Sequence, residues 1–311
     1  MKLVFCGTPE FAVGTLEAVV AAGHSVVLVV CQPDRASGRG LTTTAGAVKE
    51  AAIRLGLPIT QPNKIKRNEE FRSQLEDIAP DAILVVAYGR IIPDWMLELP
   101  RFGCINLHGS LLPKYRGAAP IQWAVANGEP LTGVTTMLLD AGLDTGPMLL
   151  AQVEPIAPEQ SAEDLFKSLA KTGAKLMLHT LTGLQDGSVV PIEQNHSAAT
   201  LAPLLTREDG RIDFARGAQS CLDRWRGFQP WPGAWTRLRG KKLIVHRMAL
   251  AADPLAMGEL RVASDRLYAG CGEASLELLE LQLEGKKRLA AGDFLRGFQI
   301  RSGERLGEES A

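Results

Sequence analysis

The stretch that decides the fold reads NLHGSLLP and occupies residues 106–113. It follows a short apolar run that is typical of a buried strand. Asn106 and His108 alternate with apolar neighbours, so a strand would place both polar side chains on one face. A glycine and a proline then break the strand and begin a loop. Because ligands in open α/β sheets bind beyond the carboxyl ends of the strands, this polar pair is predicted to lie at a functional site.

The segments before this stretch predict the sheet to which it belongs. An apolar strand at residues 3–6, a helix ending near residue 22 and a Val-rich strand at residues 25–31 form one unit. Such a unit predicts a right-handed crossover in a parallel sheet. The continuous apolar run 82–89 is typical of a central strand buried on both faces. We therefore predict an α/β fold with a Rossmann-like, mostly parallel sheet. The first turn lacks the Gly-x-Gly-x-x-Gly fingerprint, which argues against a nicotinamide-dependent dehydrogenase.

A second motif, LDAGLDTG at residues 139–146, adds a carboxylate to the polar pair. The imidazole of His108 can take the proton that an attacking amine loses, because imidazole is the side chain that titrates near neutral pH. The amide of Asn106 can donate a hydrogen bond to the oxyanion on an attacked carbonyl. Asp144 can hold the imidazole in one tautomer and stabilise its charged form. This set suits acyl transfer to an amine; the alternative is a hydrogen-bonded histidine at a strand end.

Length and composition indicate an ordinary globular protein. The 311 residues are enough for two domains, and an apolar fraction of 46% with 22% charged residues allows a full core. The five cysteines are odd in number and widely spaced, which argues against a disulfide framework and a zinc site. The sequence lacks a signal-peptide pattern, and no stretch approaches the roughly 20 apolar residues needed to span a bilayer. We therefore expect a cytoplasmic protein without a membrane partner.

The second half of the chain is predicted to form a separate domain. Residues 189–206 have little helical or strand character, and we expect them to link an N-terminal domain (1–188) to a C-terminal domain (207–311). Short strands separated by Gly turns favour a small OB-like β-barrel in the latter. This region carries 18 Lys and Arg against 15 Asp and Glu, in a chain of net charge −1. The basic excess is compatible with binding a phosphate backbone, although a solvated basic face is the simpler interpretation.

The motif from His108 to Pro113, followed by Gly117, Pro120 and Asp144, resembles the signature of the folate-dependent formyltransferases. This family includes glycinamide ribonucleotide, amino-sugar and methionyl-tRNA formyltransferases. The resemblance implies the formyltransferase fold, no metal, and catalytic roles for Asn106, His108 and Asp144. It also implies a set of folate-binding residues, which are Ser110, Leu111, Leu112, Pro113, Gly89, Ile91 and Asp140.

Further segments resemble the members of the family that act on methionyl-tRNA. They are the polar loop 32–44 with Pro-Asp-Arg and Gly-Arg-Gly, GRID at 210–213, PWPG at 230–233, LQLEGKKR at 281–288 and FLRG at 294–297. The resemblance implies transfer of a formyl group from 10-formyltetrahydrofolate to the α-amine of methionyl-initiator tRNA, for translation initiation. We expect a monomer. The tRNA contacts that the resemblance implies are Arg35, Arg39, Lys286, Lys287 and Arg288.

The chain departs from these relatives at positions that the resemblance implies lie toward the tRNA. Leu41 and Thr42 stand where the family commonly has lysines, and Leu204 stands where it usually has a lysine. Both changes remove positive charges, so they weaken the electrostatic attraction between these positions and the phosphates of a tRNA. Two alternatives stay open: a formyltransferase for an amino-sugar nucleotide, and a nucleic-acid-binding protein with an inactive catalytic domain.

Overall fold

An apolar strand opens the chain, and a seven-stranded sheet is built around it. The computed structural model describes residues 1–37 and 42–307. Contacts divide them into two units. The first contains Met1–Pro120, Leu131–Pro155 and Asp164–Pro203; the second contains Ile121–Pro130, Ile156–Glu163 and the chain from residue 204 onward.

The strands of the first unit follow one another along the chain as β1 (Lys2–Gly7), β2 (Ser25–Val30), β3 (Arg35–Ser37), β4 (Thr42–Thr44), β5 (Ile59–Thr60), β6 (Ala82–Val86), β7 (Cys104–His108), β8 (Leu131–Leu138) and β9 (Met148–Pro155). Seven of them form one sheet in the order β5-β2-β1-β6-β7-β8-β9, and β3 pairs with β4 separately. The pairs from β5 to β7 are parallel, whereas β8 and β9 join antiparallel. The predicted Rossmann-like, mostly parallel sheet is confirmed.

Helices alternate with these strands and continue into the second unit. In the part of the chain that the structure describes they are α1 (Val13–Ala21), α2 (Ala47–Arg54), α3 (Glu69–Ile78), α4 (Asp94–Leu97), α5 (Pro120–Ala126), α6 (Ala162–Asp186), α7 (Ala218–Gly227) and α8 (Ala291–Phe298). Over the same residues, every helix is too short or too polar to cross a membrane.

The central strands carry apolar side chains on both faces because helices cover both sides of a parallel sheet. All five residues of β6 and all five of β7 are buried. Helix α3 shows how the sequence begins a helix that packs against the sheet. The side chain of Asn68 accepts a hydrogen bond from the backbone N–H of Phe71, a cap that stabilises a helix by about 1 kcal/mol. Phe71 and Leu75 then face the core.

The second unit is an antiparallel sheet of short strands, as the Gly turns predict. Its strands are β10 (Trp235–Leu238), β11 (Lys241–Ala251), β12 (Leu260–Ala263), β13 (Arg266–Gly270), β14 (Ser275–Leu283) and β15 (Leu289–Ala290). They run in the order β10-β11-β14-β13-β12, with β15 paired to β14.

Residues 303–307 join the two edges of this second sheet. The N–H of Gly307 donates to the carbonyl of Arg237 at 2.9 Å, beside an isolated bridge from β10. The N–H of Leu260 in β12 donates to the carbonyl of Glu304 at 2.7 Å. The segment therefore pairs the exposed backbone of both edge strands, which fits the predicted small OB-like barrel.

Residues 189–206, which we expect to link two domains, stay with the first unit as far as Pro203. Ile192 forms an antiparallel bridge with Met148 at the start of β9. Leu201 forms a parallel bridge with Arg116. The backbone of this segment is thus hydrogen-bonded to the first unit at both ends.

The cysteines of the first unit lead to a testable prediction. Burial raises the pKa of Cys31 to about 11, that of Cys104 to about 12, and that of Cys6 well above its usual value. Because the thiolate is the nucleophile, we expect these three thiols to resist iodoacetamide at pH 8 in the native protein and to react after denaturation. Mass spectrometry of the labelled peptides measures this. Rapid native labelling of any of the three would contradict the burial seen here.

Candidate active site

The predicted polar pair lies at the carboxyl end of β7. Asn106 is paired in register with Val85 of the parallel strand β6, and His108 with Thr135 of the antiparallel strand β8. Residues two apart on a strand share a face, so both side chains emerge on the same side of the sheet. They are only 9% and 5% exposed. The sheet therefore holds both groups rigidly, where the parallel strands end.

The loop that follows β7 is fixed to β8 by hydrogen bonds. The hydroxyl of Thr135 donates to the carbonyl of Ser110 at 2.7 Å and accepts from the N–H of Leu112 at 3.2 Å. The hydroxyl of Ser110 is fully buried and donates to the carbonyl of Lys114 at 2.7 Å. Ser110 thus shapes the loop and does not offer its hydroxyl hydrogen to a ligand.

The tautomer of His108 follows from its hydrogen bond. Its Nε2 lies 2.9 Å from the backbone carbonyl of Tyr115. A carbonyl oxygen can only accept, so Nε2 carries a hydrogen and donates. In the neutral ring, Nδ1 is then the basic nitrogen. The geometry therefore leaves a proton acceptor on the side of the ring that faces Asp144.

Asp144 approaches that nitrogen from the turn between β8 and β9. Its Oδ2 lies 3.7 Å from Nδ1 of His108, which is too long for a hydrogen bond. The same oxygen accepts a hydrogen bond from the backbone N–H of Gly117 at 2.8 Å. Our expectation that Asp144 holds the tautomer is therefore corrected, since the Tyr115 carbonyl does so. At 3.7 Å the carboxylate is placed to stabilise a charged imidazolium.

Gly117 owes its identity to a close backbone approach. Its φ is +120°, and a Cβ atom there would lie 2.7 Å from the carbonyl oxygen of Ala202. Both features exclude a side chain at this position. The absence of one lets the N–H of Gly117 reach Asp144.

The carboxamide of Asn106 forms no hydrogen bond with another residue of the described ranges 1–37 and 42–307. An unpaired amide beside a basic imidazole is thus available to a substrate oxygen, in the arrangement that acyl transfer needs.

The remaining predicted folate residues fall into two groups. Gly89, Ile91 and Asp140 lie on exposed loops, and Ile91 is 90% exposed. Asp140 accepts hydrogen bonds from the N–H of Gly142 and the hydroxyl of Thr145, so its carboxylate stabilises its own turn. The residues on the loop after β7 are half-buried or buried, and these are Leu111, Leu112 and Pro113.

The predicted tRNA contacts lie on two separate segments. Lys286 and Lys287 are exposed on the turn between β14 and β15. Arg288 forms an ion pair with Glu280, so its charge is partly neutralised. Arg35 begins β3, whereas Arg39 and Leu41 lie outside the described residues.

Sequence reasoning missed two buried polar residues near this site, Arg116 and Gln194. Arg116 follows the motif of residues 106–113 closely, and a charged residue in such a loop is a usable signal. Gln194 lies in a segment without periodicity and carried no signal. In the described part of the chain, no group of three or more His, Cys, Asp or Glu side chains could hold a metal ion.

Comparison with known families covers most of the chain. Residues 1–181 match the formyl transferase family, and residues 204–299 match the formyl transferase C-terminal domain. The first match includes the strand end, the loop after it and the turn that carries Asp144.

Individual relatives extend this likeness to the full length. The chain is 63% identical over 310 residues to the methionyl-tRNA formyltransferase of Acidobacterium capsulatum, covering 99% of this chain and 100% of that one. It is 58% identical over 312 residues to the methionyl-tRNA formyltransferase of Koribacter versatilis, covering all of both chains. Among solved structures, an N-formyltransferase from Helicobacter canadensis with folinic acid and dTDP-3-aminofucose has a TM-score of 0.67 at 17% identity, covering 89% of this chain and 98% of that one. The last likeness concerns the fold alone.

Proposed function

The chain belongs to the formyl transferase family, and from that membership we propose that it transfers the formyl group of 10-formyltetrahydrofolate to the α-amino group of methionyl-initiator tRNA. The observation that carries the proposal is the full-length identity to bacterial methionyl-tRNA formyltransferases. The product is the formylmethionyl-tRNA used in translation initiation. We propose that the enzyme acts in the cytoplasm, where its tRNA substrate is used, and acts as a monomer.

Asn106 stabilises the charge that develops on the formyl oxygen. Attack of the α-amine on the formyl carbon forms the new C–N bond and moves an electron pair onto that oxygen. The unpaired amide of Asn106 can donate to the oxygen without first giving up a partner within the described residues. A donor placed in advance in this way costs no reorganisation when the charge appears.

His108 moves the proton. Because Nε2 donates to the Tyr115 carbonyl, Nδ1 takes the proton that the amine loses on attack. The same nitrogen returns the proton to nitrogen 10 of the folate as the C–N bond to the formyl carbon breaks. The transfer is then complete, with one bond formed, one broken and no net proton uptake by the enzyme.

Asp144 stabilises the intermediate in which His108 is charged. Its carboxylate lies 3.7 Å from Nδ1, so it lowers the energy of an imidazolium without competing for the ring hydrogen. The N–H of Gly117 keeps one carboxylate oxygen in place. Asp144 thus stabilises the charged form of His108, and the carbonyl of Tyr115 orients its ring.

The folate contacts are proposed for the loop after β7 and for the loops that carry Gly89, Ile91 and Asp140. The exposed side chain of Ile91 offers an apolar surface against which a ring system can pack. Leu111 and Pro113 are half-buried and can offer apolar edges. The backbone of residues 110–113 is already fixed by Thr135, which favours a pre-formed pocket.

The tRNA contacts are proposed for Arg35, Arg39, Lys286 and Lys287, with Arg288 as a weaker contact because of its ion pair. Each phosphate contact contributes roughly one unit to the slope of the logarithm of the binding constant against the logarithm of the salt concentration. The C-terminal domain match supports this assignment, because it extends the family likeness through the region that carries Lys286 and Lys287.

The proposal is tested by a formyl-transfer assay with three acceptors. Methionyl-initiator tRNA, methionyl-elongator tRNA and an amino-sugar nucleotide are each incubated with 10-formyltetrahydrofolate and the enzyme. We expect product on the initiator tRNA alone. Product on the sugar nucleotide alone would retain the chemistry of Asn106 and His108 but refute the tRNA substrate. Tight tRNA binding without turnover on any acceptor would instead support an inactive nucleic-acid-binding protein.

A further inference from the structure

Gln194 connects the turn that carries Asp144 to a buried arginine. Its side-chain amide is 4% exposed. The Nε2 atom donates to the backbone carbonyl of Asp144 at 2.9 Å and to that of Gly146 at 2.7 Å. The Oε1 atom accepts from Nε of Arg116 at 3.1 Å and from Nη2 at 2.7 Å. All four hydrogen-bonding positions of the amide are therefore used inside the first unit.

The orientation of this amide is fixed by its partners. A guanidinium can only donate and a backbone carbonyl can only accept, so oxygen must face Arg116 and nitrogen must face the turn. A glutamate would offer no donor to the two carbonyls. An asparagine is one methylene shorter and cannot reach both sides without a backbone shift. Glutamine alone among the ordinary side chains meets both requirements at this length.

Arg116 is held as firmly as the glutamine. Its side chain is 7% exposed, and Nη2 also lies 3.0 Å from Nδ1 of His196. Its backbone N–H donates to the carbonyl of Thr200 at 2.8 Å, and its carbonyl accepts from the N–H of Ala202 at 2.7 Å. The segment 194–202 is thus fastened to the loop after β7 through both backbone and side chains.

The turn that Gln194 contacts is one that needs support. Asp144 adopts a left-handed backbone conformation, with φ at +52°. Aspartate tolerates this conformation better than most residues with a side chain, but it is still less favourable than the α and β regions, so neighbouring contacts help to hold it. The two carbonyls that Gln194 contacts lie at this residue and two residues after it. A carboxylate displaced by even 1 Å would no longer face Nδ1 of His108 at the observed distance.

We propose that Gln194 is a positioning residue for the transfer reaction, acting through Asp144, with Arg116 as the anchor that orients its amide. The inference rests on the proposed catalytic role of Asp144. Gln194 holds the turn in the conformation that places the carboxylate against His108. Its loss leaves the proposed tRNA contacts in place but misplaces the charge that stabilises the imidazolium.

The first test is Gln194→Met, which keeps the length of the side chain and removes its polar atoms. We expect kcat to fall by about 10- to 100-fold, the range for residues that orient a catalytic group. The KM for methionyl-initiator tRNA should stay unchanged, since the interaction lost matters in the transition state. The matched control is Gln152→Met on β9, where the glutamine is exposed and its Nε2 donates to Val153. The control should keep normal kcat.

A second variant separates positioning from simple packing. Gln194→Glu keeps an acceptor for Arg116 but turns a negative oxygen toward the carbonyls of Asp144 and Gly146. We expect it to be at least as impaired in kcat as Gln194→Met. Circular dichroism on each variant establishes that it is folded under the assay conditions. Normal kcat in a folded Gln194→Glu would overturn the proposal, because only the Arg116 contact would then matter.

The third test asks whether Gln194 acts through Asp144. In an Asp144→Asn background, Gln194→Met should lower kcat little further, because residues that act as a unit are not additive. Independent, multiplying losses would overturn the inference. Normal kcat in Asp144→Asn would overturn the catalytic role of Asp144 and the inference with it. Normal kcat in Gln194→Met beside an impaired Asp144→Asn would overturn the inference alone.

Discussion

Replacing His108 with alanine is expected to lower kcat for formyl transfer by about 10²- to 10⁴-fold, the range for a general acid–base. The variant loses the nitrogen that takes the proton from the α-amine and returns it to the leaving nitrogen. It keeps Asn106, whose amide still stabilises the oxyanion. Transfer should therefore persist at a low rate, with the proton exchanged through water.

The measurement is the steady-state rate with saturating methionyl-initiator tRNA and 10-formyltetrahydrofolate. The matched control is His179→Ala, since His179 is exposed on α6. The substitution at His108 also removes the hydrogen bond that Nε2 donates to the Tyr115 carbonyl, at a cost to stability of about 1–3 kcal/mol. The assay is therefore run at a temperature where circular dichroism shows the variant folded. A folded His108→Ala protein with near-normal kcat would refute the assignment.

The position of Asn106 and His108, the proposed catalytic pair, could be predicted because it depends on strand periodicity. Asn106 and His108 alternate with apolar residues at the end of a buried strand, and β7 places them on one face of the sheet. The neighbouring apolar run predicted β6 equally well, and all five of its residues are buried. The two-residue repeat of a strand, together with the rule that ligands bind at the carboxyl ends of parallel strands, was sufficient to predict both positions.

The contacts that orient His108 and Asp144 could not be predicted, because they come from backbone groups or from single side chains outside any sequence pattern. The tautomer of His108 is set by the carbonyl of Tyr115, which every residue possesses and no side-chain pattern marks. Gln194 is a single polar residue in a segment without periodicity. Its contacts to Asp144 and Arg116 join residues that lie far from it along the chain. Only the folded chain brings them together.

The barrel shows the same division between local and distant signals. Gly turns and short apolar strands predicted the strands from β10 to β14, since each signal is local. The pairing of residues 303–307 with both edges could not be predicted, because this segment is rich in Arg, Glu and Gly. Its role depends on backbone hydrogen bonds to edges that exist only after the rest of the sheet has formed.

The second large effect is expected at Asn106. Asn106→Leu keeps the approximate shape of the side chain and removes its donor. We expect kcat to fall by about 10²- to 10³-fold, the range for one oxyanion donor. Because the charge on the formyl oxygen exists only in the transition state, kcat and kcat/KM should fall together. A loss confined to KM for the folate would contradict this role and make Asn106 a binding residue instead.

The thermal stability of Asn106→Leu distinguishes a role of Asn106 in the reaction from a role in the fold. Removing a buried hydrogen-bonded amide leaves its partner unpaired and destabilises a protein by about 1–3 kcal/mol. The amide of Asn106 has no partner among the residues that the structure describes, so Asn106→Leu should unfold at the wild-type temperature or above it. The control Asn63→Leu, at an exposed position, should change neither property. A catalytic defect in a protein of unchanged stability would show that Asn106 is kept polar for the reaction, since the fold gains nothing from its amide.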